Sequence, residues 1–406
     1  MKYITVKEAS KKWGVSDRRV QILCSNGRIK GAYRFGRDWM IPENAVLPNA
    51  RRKEEPTFPM PRKSPFLDMT NLYNLPGEAE NCAEMLINQP EAYALFNAQI
   101  AYRRGEIDKV YDQARYFLGA HSGFYAILGG GMLLALCAIW RGDVELWQEA
   151  KKHICNAPCE TQEERDIISL SLAIIDSSIY DNKDYPEWFT MGNFEVLPSD
   201  AHPAAKVFYV KYLYMTAFAV ASKQYQLEGV QGLALMKLIP STIEPLISQA
   251  VVDKTIIPEI FLRMSCAVSY YNAGQKERAI YHIDRAIALA LPDRLYGILT
   301  EYLRHFEGLL QERIMIQDEN SAATVTALYA RYSVGWAKLS GSVRNKYIAT
   351  NLTQREHECA KLTAFGFNPA KIAKILHISE SSVRQALQRV YSKTGIVGES
   401  EIAYIL

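Results

Sequence analysis

The densest set of side chains able to form directional hydrogen bonds lies between Ser379 and Thr394. Arg384 can bond a guanine edge bidentately or grip a phosphate, because its guanidinium presents a planar fork of donors. Gln385 and Gln388 carry amide groups that can read adenine or bridge to a base through water. This is the chemistry of nucleic-acid recognition, and it requires a helix that presents these residues to a groove.

The surrounding pattern predicts three helices that would position this segment. Thr353 and Glu356 have the spacing of a capping box, so a first helix begins there and stops at Gly366. Pro369 suits the first turn of a second helix, and Ser379 caps a third. Two short helices joined by a tight turn have the helix-turn-helix geometry. Its second helix enters the major groove, because only that groove is wide enough and carries an unambiguous base code.

Many separate positions of this segment match one known pattern: Leu352, Thr353, Arg355, Glu356, Gly366, Ile372, Ala373, Ile378, Ser379, Ser382, Val383, Arg384, Tyr391, Lys393, Gly395 and Ile396. The segment, taken as residues 346–406, resembles the LuxR/FixJ-type DNA-binding domain. The resemblance implies core positions for Val383 and Leu387. It also implies that one set of residues binds DNA: Ser382, Arg384, Gln385, Gln388, Arg389 and Lys393. Ala386 departs from the family, which often has a polar residue there, and this weakens the base contact expected at that position.

A second pair of short helices is predicted in residues 1–47. Thr5 and Glu8 form another capping box, and Ser16 caps the helix that follows. Residues from Ile29 to Ile41 include β-type side chains around a polar turn, which predicts a short β wing.

A set of residues in this N-terminal unit also matches a known pattern: Ala9, Gly14, Val15, Ser16, Val20, Gly27, Arg28, Ile29, Gly36, Trp39, Ile41 and Pro42. The unit resembles the MerR/excisionase-like winged helix-turn-helix. The resemblance implies that Arg18, Arg19 and Gln21 lie on the exposed side of the recognition helix. It implies that Arg34 and Arg37 of the wing reach phosphate or the minor groove. The alternative is a unit that serves protein contacts alone.

The charge distribution favours nucleic acid as the partner of both ends. The net charge is only +3, but residues 1–66 hold 15 Lys and Arg against 6 Asp and Glu. Residues 338–406 hold 10 basic against 5 acidic residues, so residues 67–337 carry about eleven net negative charges. Basic surfaces neutralise phosphates, whereas an acidic centre resists non-specific contact with DNA.

The centre, residues 67–339, is predicted to be an α-solenoid. A Pro-rich linker at 48–66 precedes it, and apolar residues recur at helical spacing between turn signals at Gly105, Gly142 and Gly274. One unit around Gly274 resembles the tetratricopeptide repeat: Tyr270, Ala279, Ile283, Ala286 and Pro292. The fold class is therefore mainly α, with a tetratricopeptide-like centre flanked by two small helix-turn-helix domains. Such a centre suits a ligand, a peptide or dimerisation.

The remaining motifs argue against an enzyme. No GxxxxGK[ST], GxSxG or HExxH pattern occurs, and Gly129–Gly131 are interpreted as a site of close helix packing. The seven scattered cysteines include no CxxC pair, so we expect reduced thiols and neither metal nor cofactor. A metal near His153, Cys155 and Cys159 would lack a second ligand pair. An aromatic run fits a helical core, with an apolar ligand pocket as the alternative: Phe208, Tyr209, Tyr212, Tyr214 and Phe218.

These observations predict a sequence-specific transcription regulator whose centre senses a ligand or partner. The expected partners are double-stranded DNA, RNA polymerase or another regulator, and a second copy of the chain in a homodimer. The start of the chain has no signal-peptide pattern and no run spans a bilayer, so a cytoplasmic, nucleoid-associated location without membrane contact is expected. The alternative is a scaffold that bridges two DNA sites with its two heads. An enzyme with DNA-binding appendages is disfavoured for want of a catalytic constellation.

Overall fold

A computed structural model describes residues 2–13, 15–25, 29–36, 38–45, 64–119, 122–181, 185–214, 231–306, 308–343, 353–394 and 402. The chain divides into two compact units, Met1–Pro61 and Arg62–Leu406. The larger unit contains a helical body and, at the end of the chain, three further helices with a core of their own.

The N-terminal unit combines two helices with a small antiparallel sheet. Its elements are β1 (Tyr3–Thr5), α1 (Val6–Trp13), α2 (Asp17–Ser25), β2 (Tyr33–Phe35) and β3 (Asp38–Pro42). The strand order is β1-β3-β2, so β3 is the central strand and pairs with both β1 and its hairpin partner β2. The two helices and the hairpin are found where the sequence predicts them. The strand β1 was not predicted, because its partner lies almost forty residues further along the chain.

The body is built from helices: α3 (Ala79–Glu84), α4 (Pro90–Arg104), α5 (Ile107–Phe117), α6 (Phe124–Arg141), α7 (Val144–Cys155), α8 (Gln162–Ser178), α9 (Glu187–Thr190), α10 (202–214), α11 (Gln231–Asp253), α12 (Ile256–Asn272), α13 (Lys276–Ala290), α14 (Tyr296–Tyr302), α15 (Leu309–Gln317) and α16 (Glu319–Val343). Short 3₁₀ turns join some of them: Leu67–Met69, Ser199–Ala201, Leu291–Asp293 and Leu303–His305. Ser64 and Phe66 are already buried in this body, so the segment predicted as a linker packs against the body at its end.

Three helical hairpins are found at the predicted turn signals. Gly105, Gly142 and Gly274 each have a positive φ, of 85°, 62° and 75°. Gly105 and Gly142 end α4 and α6 in the left-handed conformation, which glycine adopts without a Cβ penalty. The hairpins α4–α5, α6–α7 and α12–α13 follow from these turns.

The body differs from an open solenoid, because its early helices pack against its late ones. In a solenoid each repeat contacts only its neighbours, whereas here α6 packs on α16 and α4 packs on α14. Gly335 of α16 lies so close to α6 that a Cβ there would be 2.2 Å from the carbonyl oxygen of Trp140. Asp293 accepts a hydrogen bond from the amide of Gly77 and another from Tyr73 at 2.5 Å. The helical body therefore closes on itself.

The three consecutive glycines of α6 confirm the interpretation as a packing site. An added Cβ would lie 2.5 Å from Leu95 at Gly129, 2.6 Å from Phe117 at Gly130 and 2.7 Å from Ile154 at Gly131. Within the described chain α6 is long and apolar enough to span a membrane, but 72% of that window is buried inside the protein. It is the central packing helix of the body.

Candidate nucleic-acid interface

The C-terminal helices α17 (Gln354–Ala364), α18 (Pro369–Leu376) and α19 (Glu380–Thr394) begin at the predicted caps. The Thr353 amide donates a hydrogen bond to Glu356 Oε2 at 2.8 Å, and the Glu356 amide donates one back to Thr353 Oγ1 at 3.3 Å. This reciprocal pair is the predicted capping box, which satisfies two amides at the start of α17. Ser379 Oγ accepts the amide of Ser382 at 3.1 Å and caps α19 in the same way.

The helix α18 is fixed at both ends by local geometry. The side chain of Asn368 accepts the amide of Lys371 at 2.9 Å, and Pro369 occupies the first turn. His377 ends the helix with a φ of 53°, a left-handed value that is uncommon for a residue with a side chain. The tight reversal sets α18 and α19 as consecutive short helices, both packed on one small core.

The two faces of α19 differ in burial. One face is buried in that core: Val383, Ala386, Leu387 and Val390. The residues predicted to bind DNA occupy the exposed face as far as they are described: Ser382, Arg384, Gln385, Gln388 and Arg389. The side chain of Lys393 lies outside the described residues. The core positions of Val383 and Leu387 are confirmed.

Ala386, where the sequence puts a base contact in doubt, lies in the core rather than on the exposed face of α19. This residue has no exposed surface and belongs to the core of the three helices, so no base contact is lost there. Its small side chain instead lets α19 lie close to its neighbours. Its neighbours in the chain are the exposed Gln385 and the buried Leu387, so Ala386 lies on the buried side of the border between the two faces of α19.

Arg384 is held in the exposed face by a weak local contact. Its guanidinium forms an ion pair with Glu380, one turn earlier on α19. The side chain of Arg384 is 67% exposed, and such surface pairs contribute about 0.5 kcal/mol or less. A phosphate or a guanine edge can therefore replace Glu380 at small cost.

Arg389 forms a structural contact that sequence reasoning missed. Its Nε lies 3.1 Å from Oε1 of Glu356, the acidic member of the capping box on α17. The Glu356 carboxylate is almost fully buried, and Arg389 pairs with it while its own side chain remains 58% exposed. The two residues are thirty-three positions apart, so no local pattern relates them.

The N-terminal unit presents the predicted side chains in part. Arg18 and Gln21 are exposed on α2, and Arg34 is exposed on β2. The side chain of Arg19 and the whole of Arg37 lie outside the described residues. Arg18, Gln21 and Arg34 have no acidic partner among the hydrogen bonds and ion pairs of the described chain.

The first helix of that unit is also capped as predicted. The amide of Thr5 donates to Glu8 Oε2 at 2.8 Å, and the amide of Glu8 donates back to Thr5 Oγ1 at 3.4 Å. The hydrogen bonds from Thr5 lower the pKa of Glu8, because they favour the carboxylate form.

One cluster in the body contains groups that ligate metals elsewhere. The donor atoms of Glu244, Cys266 and His282 lie within 4.8 Å of one another. Burial lowers the pKa of His282 to about 4 and raises the pKa of Cys266 to about 12. Tyr270 donates a hydrogen bond to Glu244 and stacks its ring on His282 at 5.7 Å. These contacts pack the Tyr270 ring against His282 and hold the Tyr270 hydroxyl on the Glu244 carboxylate.

The predicted aromatic run is divided between two environments. Tyr209 and Tyr212 pack with Phe189 of α9, their ring centroids 6.0 Å and 5.9 Å from its own. Phe208 and Tyr214 instead line a pocket inside the body. Phe218 lies outside the described residues. Both interpretations of the run, core and pocket lining, therefore apply to part of it.

Comparison with known proteins identifies the C-terminal helices. Residues 350–406 match the family model described as bacterial regulatory proteins, luxR family. No curated protein matches the chain. No solved structure matches it either. The match covers the capping box, α18 and the whole of α19, and the chain thus carries at its C-terminus the DNA-binding helix-turn-helix domain of the LuxR family of bacterial transcription regulators.

Proposed function

We propose that this protein is a sequence-specific transcription regulator that reads double-stranded DNA with the exposed face of α19. The observation that carries the proposal is the division of α19 into an apolar buried face and a face of Ser, Gln and Arg. The Gln and Arg side chains on the exposed face have the donors that base edges accept, and a helix of this size fits the major groove. DNA-binding positions are proposed for Ser382, Arg384, Gln385, Gln388, Arg389 and Lys393.

The N-terminal unit is proposed as a second DNA-binding head of the winged helix-turn-helix type. The sequence resemblance and the excess of basic residues support this role. Arg18, Arg19 and Gln21 would approach the major groove, with Arg34 and Arg37 on the wing near the backbone. The helical body would then sense a signal and hold two copies of the chain together, since helix-turn-helix regulators usually bind paired half-sites as dimers. A cytoplasmic, nucleoid-associated location and contact with RNA polymerase belong to the same proposal.

The experiment is a mobility shift of the full chain on genomic fragments, at about 150 mM salt and with excess competitor DNA. We expect a subset of fragments to bind about a thousandfold or more tighter than competitor, as specific sites do. Arg384→Ala should weaken that binding. Arg285→Ala removes the same charge from an exposed position of α13 and should leave it unchanged. Salt-sensitive binding without any preferred fragment would overturn the proposal.

Removal of residues 1–61 tests the second head. Because Ser64 and Phe66 pack in the body, a chain that begins at Arg62 keeps the body intact. A loss of affinity for the preferred fragment supports a reading role for the N-terminal unit. Retained affinity, with loss of the ability to join two DNA fragments, supports instead a scaffold that bridges two sites.

A further inference from the structure

The helical body contains a pocket of about 680 Å³, its open mouth included. Much of the wall is aromatic, with Tyr180, Phe208, Phe261 and Tyr302 among the lining residues. The lining comes from α8, α10, α11, α12, α14 and α16 and the turns beside them, so the pocket joins parts of the body that are distant in sequence.

Lys211 of α10 is a cation in this wall without a polar partner. In the described part of the chain its ammonium forms no hydrogen bond and no ion pair. It lies 5.7 Å from the ring centroid of Tyr180 and 5.9 Å from that of Phe208. Burial lowers the pKa of Lys211, and Arg304 acts in the same direction through repulsion. A buried ammonium is costly unless an anion accompanies it.

Arg304 places a second cation in the same wall. Its guanidinium lies 3.9 Å from the ring centroid of Trp336 and 4.8 Å from that of Tyr180, and it donates a hydrogen bond to the Tyr180 hydroxyl. No carboxylate of the described residues lies within ion-pair distance of it. The aromatic contacts fix the direction of Arg304 but leave its charge uncompensated.

The only carboxylate among the lining residues is that of Glu301. It accepts a hydrogen bond from Tyr102 at 3.0 Å, and its charge favours the protonated form of Lys211 without reaching ion-pair distance. The pocket therefore has two cationic groups against one anionic group. An aromatic wall with an excess of positive charge is complementary to a small anion with a planar apolar body.

We propose that this pocket binds a small organic carboxylate with an aromatic body, whose charge lies between Lys211 and Arg304. The inference rests on the proposed function, since it names the chemical class of the signal that the body would sense. The aromatic body of the ligand would stack against Tyr180 and Phe208.

The test uses the full chain and three probes of this class, benzoate, phenylacetate and indole-3-acetate, measured by calorimetry and by thermal shift. Phenylacetamide is the matched control, because it has the shape of phenylacetate without its charge. We expect saturable binding of a carboxylate and at least about tenfold weaker binding of its amide. Equal affinity for acid and amide overturns the proposal. So does a folded protein that binds none of the three acids at about 10 mM.

Lys211→Met and Lys206→Met distinguish an effect of the pocket cation from an effect of the overall charge of α10. Both changes remove one ammonium from the same helix, but Lys206 does not line the pocket. We expect Lys211→Met to weaken carboxylate binding about tenfold or more and Lys206→Met to leave it unchanged. Because Lys211 lacks an anionic partner, its replacement should not lower the melting temperature. Unchanged affinity in Lys211→Met overturns the proposal.

Mobility shifts with the same samples distinguish this inference from the proposed function. Site-specific DNA binding without carboxylate binding overturns the pocket assignment and leaves the regulator intact. Carboxylate binding to a protein that prefers no DNA site supports the pocket and overturns the regulator. A carboxylate that binds and changes the affinity for DNA supports both.

Discussion

The ion pair between Arg389 and Glu356 leads to a prediction about which residues hold the DNA-binding domain together. Glu356→Ala removes the carboxylate that accepts the Thr353 amide at 2.8 Å and the Arg389 Nε at 3.1 Å. Thr353 Oγ1 still caps the helix, but loss of the hydrogen bond from the Thr353 amide costs about 1 kcal/mol. The bond to a charged group adds about 1 kcal/mol, at the low end of its range because Arg389 is 58% exposed. The domain should lose about 2 kcal/mol, a large part of what so small a core supplies.

Hydrogen–deuterium exchange of the full chain measures this loss where it occurs. A loss of about 2 kcal/mol raises the local opening equilibrium of α17 and α19 about thirtyfold, whereas peptides of the body should exchange as in the wild type. Arg355→Ala is the matched control, since Arg355 pairs with Glu358 on the same helix at 3.1 Å, but the Glu358 carboxylate is 16% exposed against 3% for that of Glu356. We expect that control to change stability by about 0.5 kcal/mol or less.

Arg389→Ala then separates stability from DNA contact. If the ion pair is structural, the double variant with Glu356→Ala shows a coupling energy of about 1 kcal/mol. If Arg389 also holds a phosphate, the salt dependence of DNA binding loses a slope of about 1. An Arg389→Ala protein that exchanges like the wild type would refute the structural role, whatever it does to DNA affinity.

Three further changes test other parts of the molecule. Arg384→Ala should weaken binding to a preferred fragment by about 1–3 kcal/mol in mobility shifts. The melting temperature should not change, since the ion pair of Arg384 with Glu380 is exposed, and a lower melting temperature contradicts this. The pKa of His282 is lowered to about 4 in the folded protein, against an ordinary 6.5. The neutral side chain therefore contributes fully to folding stability above pH 6.5. This contribution is lost as the pH falls towards 4, because the unfolded chain binds the proton first. His282→Leu should therefore flatten the fall of melting temperature between those pH values, and an unaltered slope would exclude this origin. Gly335→Ala should destabilise the body by about 3 kcal/mol or more in denaturant titrations, because its Cβ would lie 2.2 Å from the Trp140 carbonyl oxygen; a near-neutral result would show that α6 and α16 separate easily.

The sequence predicts features whose partners are close together in the chain. Both capping boxes, Thr5 with Glu8 and Thr353 with Glu356, are found because three residues of spacing determine the contact. The hairpin turns follow for a similar reason, since a glycine with positive φ at Gly105 or Gly142 ends a helix whatever packs around it. The exposed face of α19 follows from helical periodicity and from the family resemblance.

Features that depend on distant partners were not predictable in this way. The pairing of β1 with β3, the contact of Arg389 with Glu356 and the approach of Gly335 to α6 each join residues far apart in sequence. The same limit explains the expectation of an open solenoid, because the hairpin pattern is local but the packing of α6 on α16 is not. The pocket belongs to this class too, since the four helices α11 to α14 lie between Lys211 and Arg304 in the sequence.

The contacts of Arg304 connect the pocket with the end of the body nearest in sequence to the DNA-binding domain. Its guanidinium lies 3.9 Å from the ring centroid of Trp336 on α16, and Tyr332, one turn earlier on that helix, also lines the pocket. Trp336 in turn donates a hydrogen bond at 2.8 Å to the carbonyl of Ser178, another lining residue. An anion that draws Arg304 towards it competes with a cation–π contact worth about 1–2 kcal/mol, so α16 is affected by the occupancy of the pocket. Because α16 is the last described helix before α17, we expect ligand binding to act on DNA affinity through this helix rather than through the early hairpins.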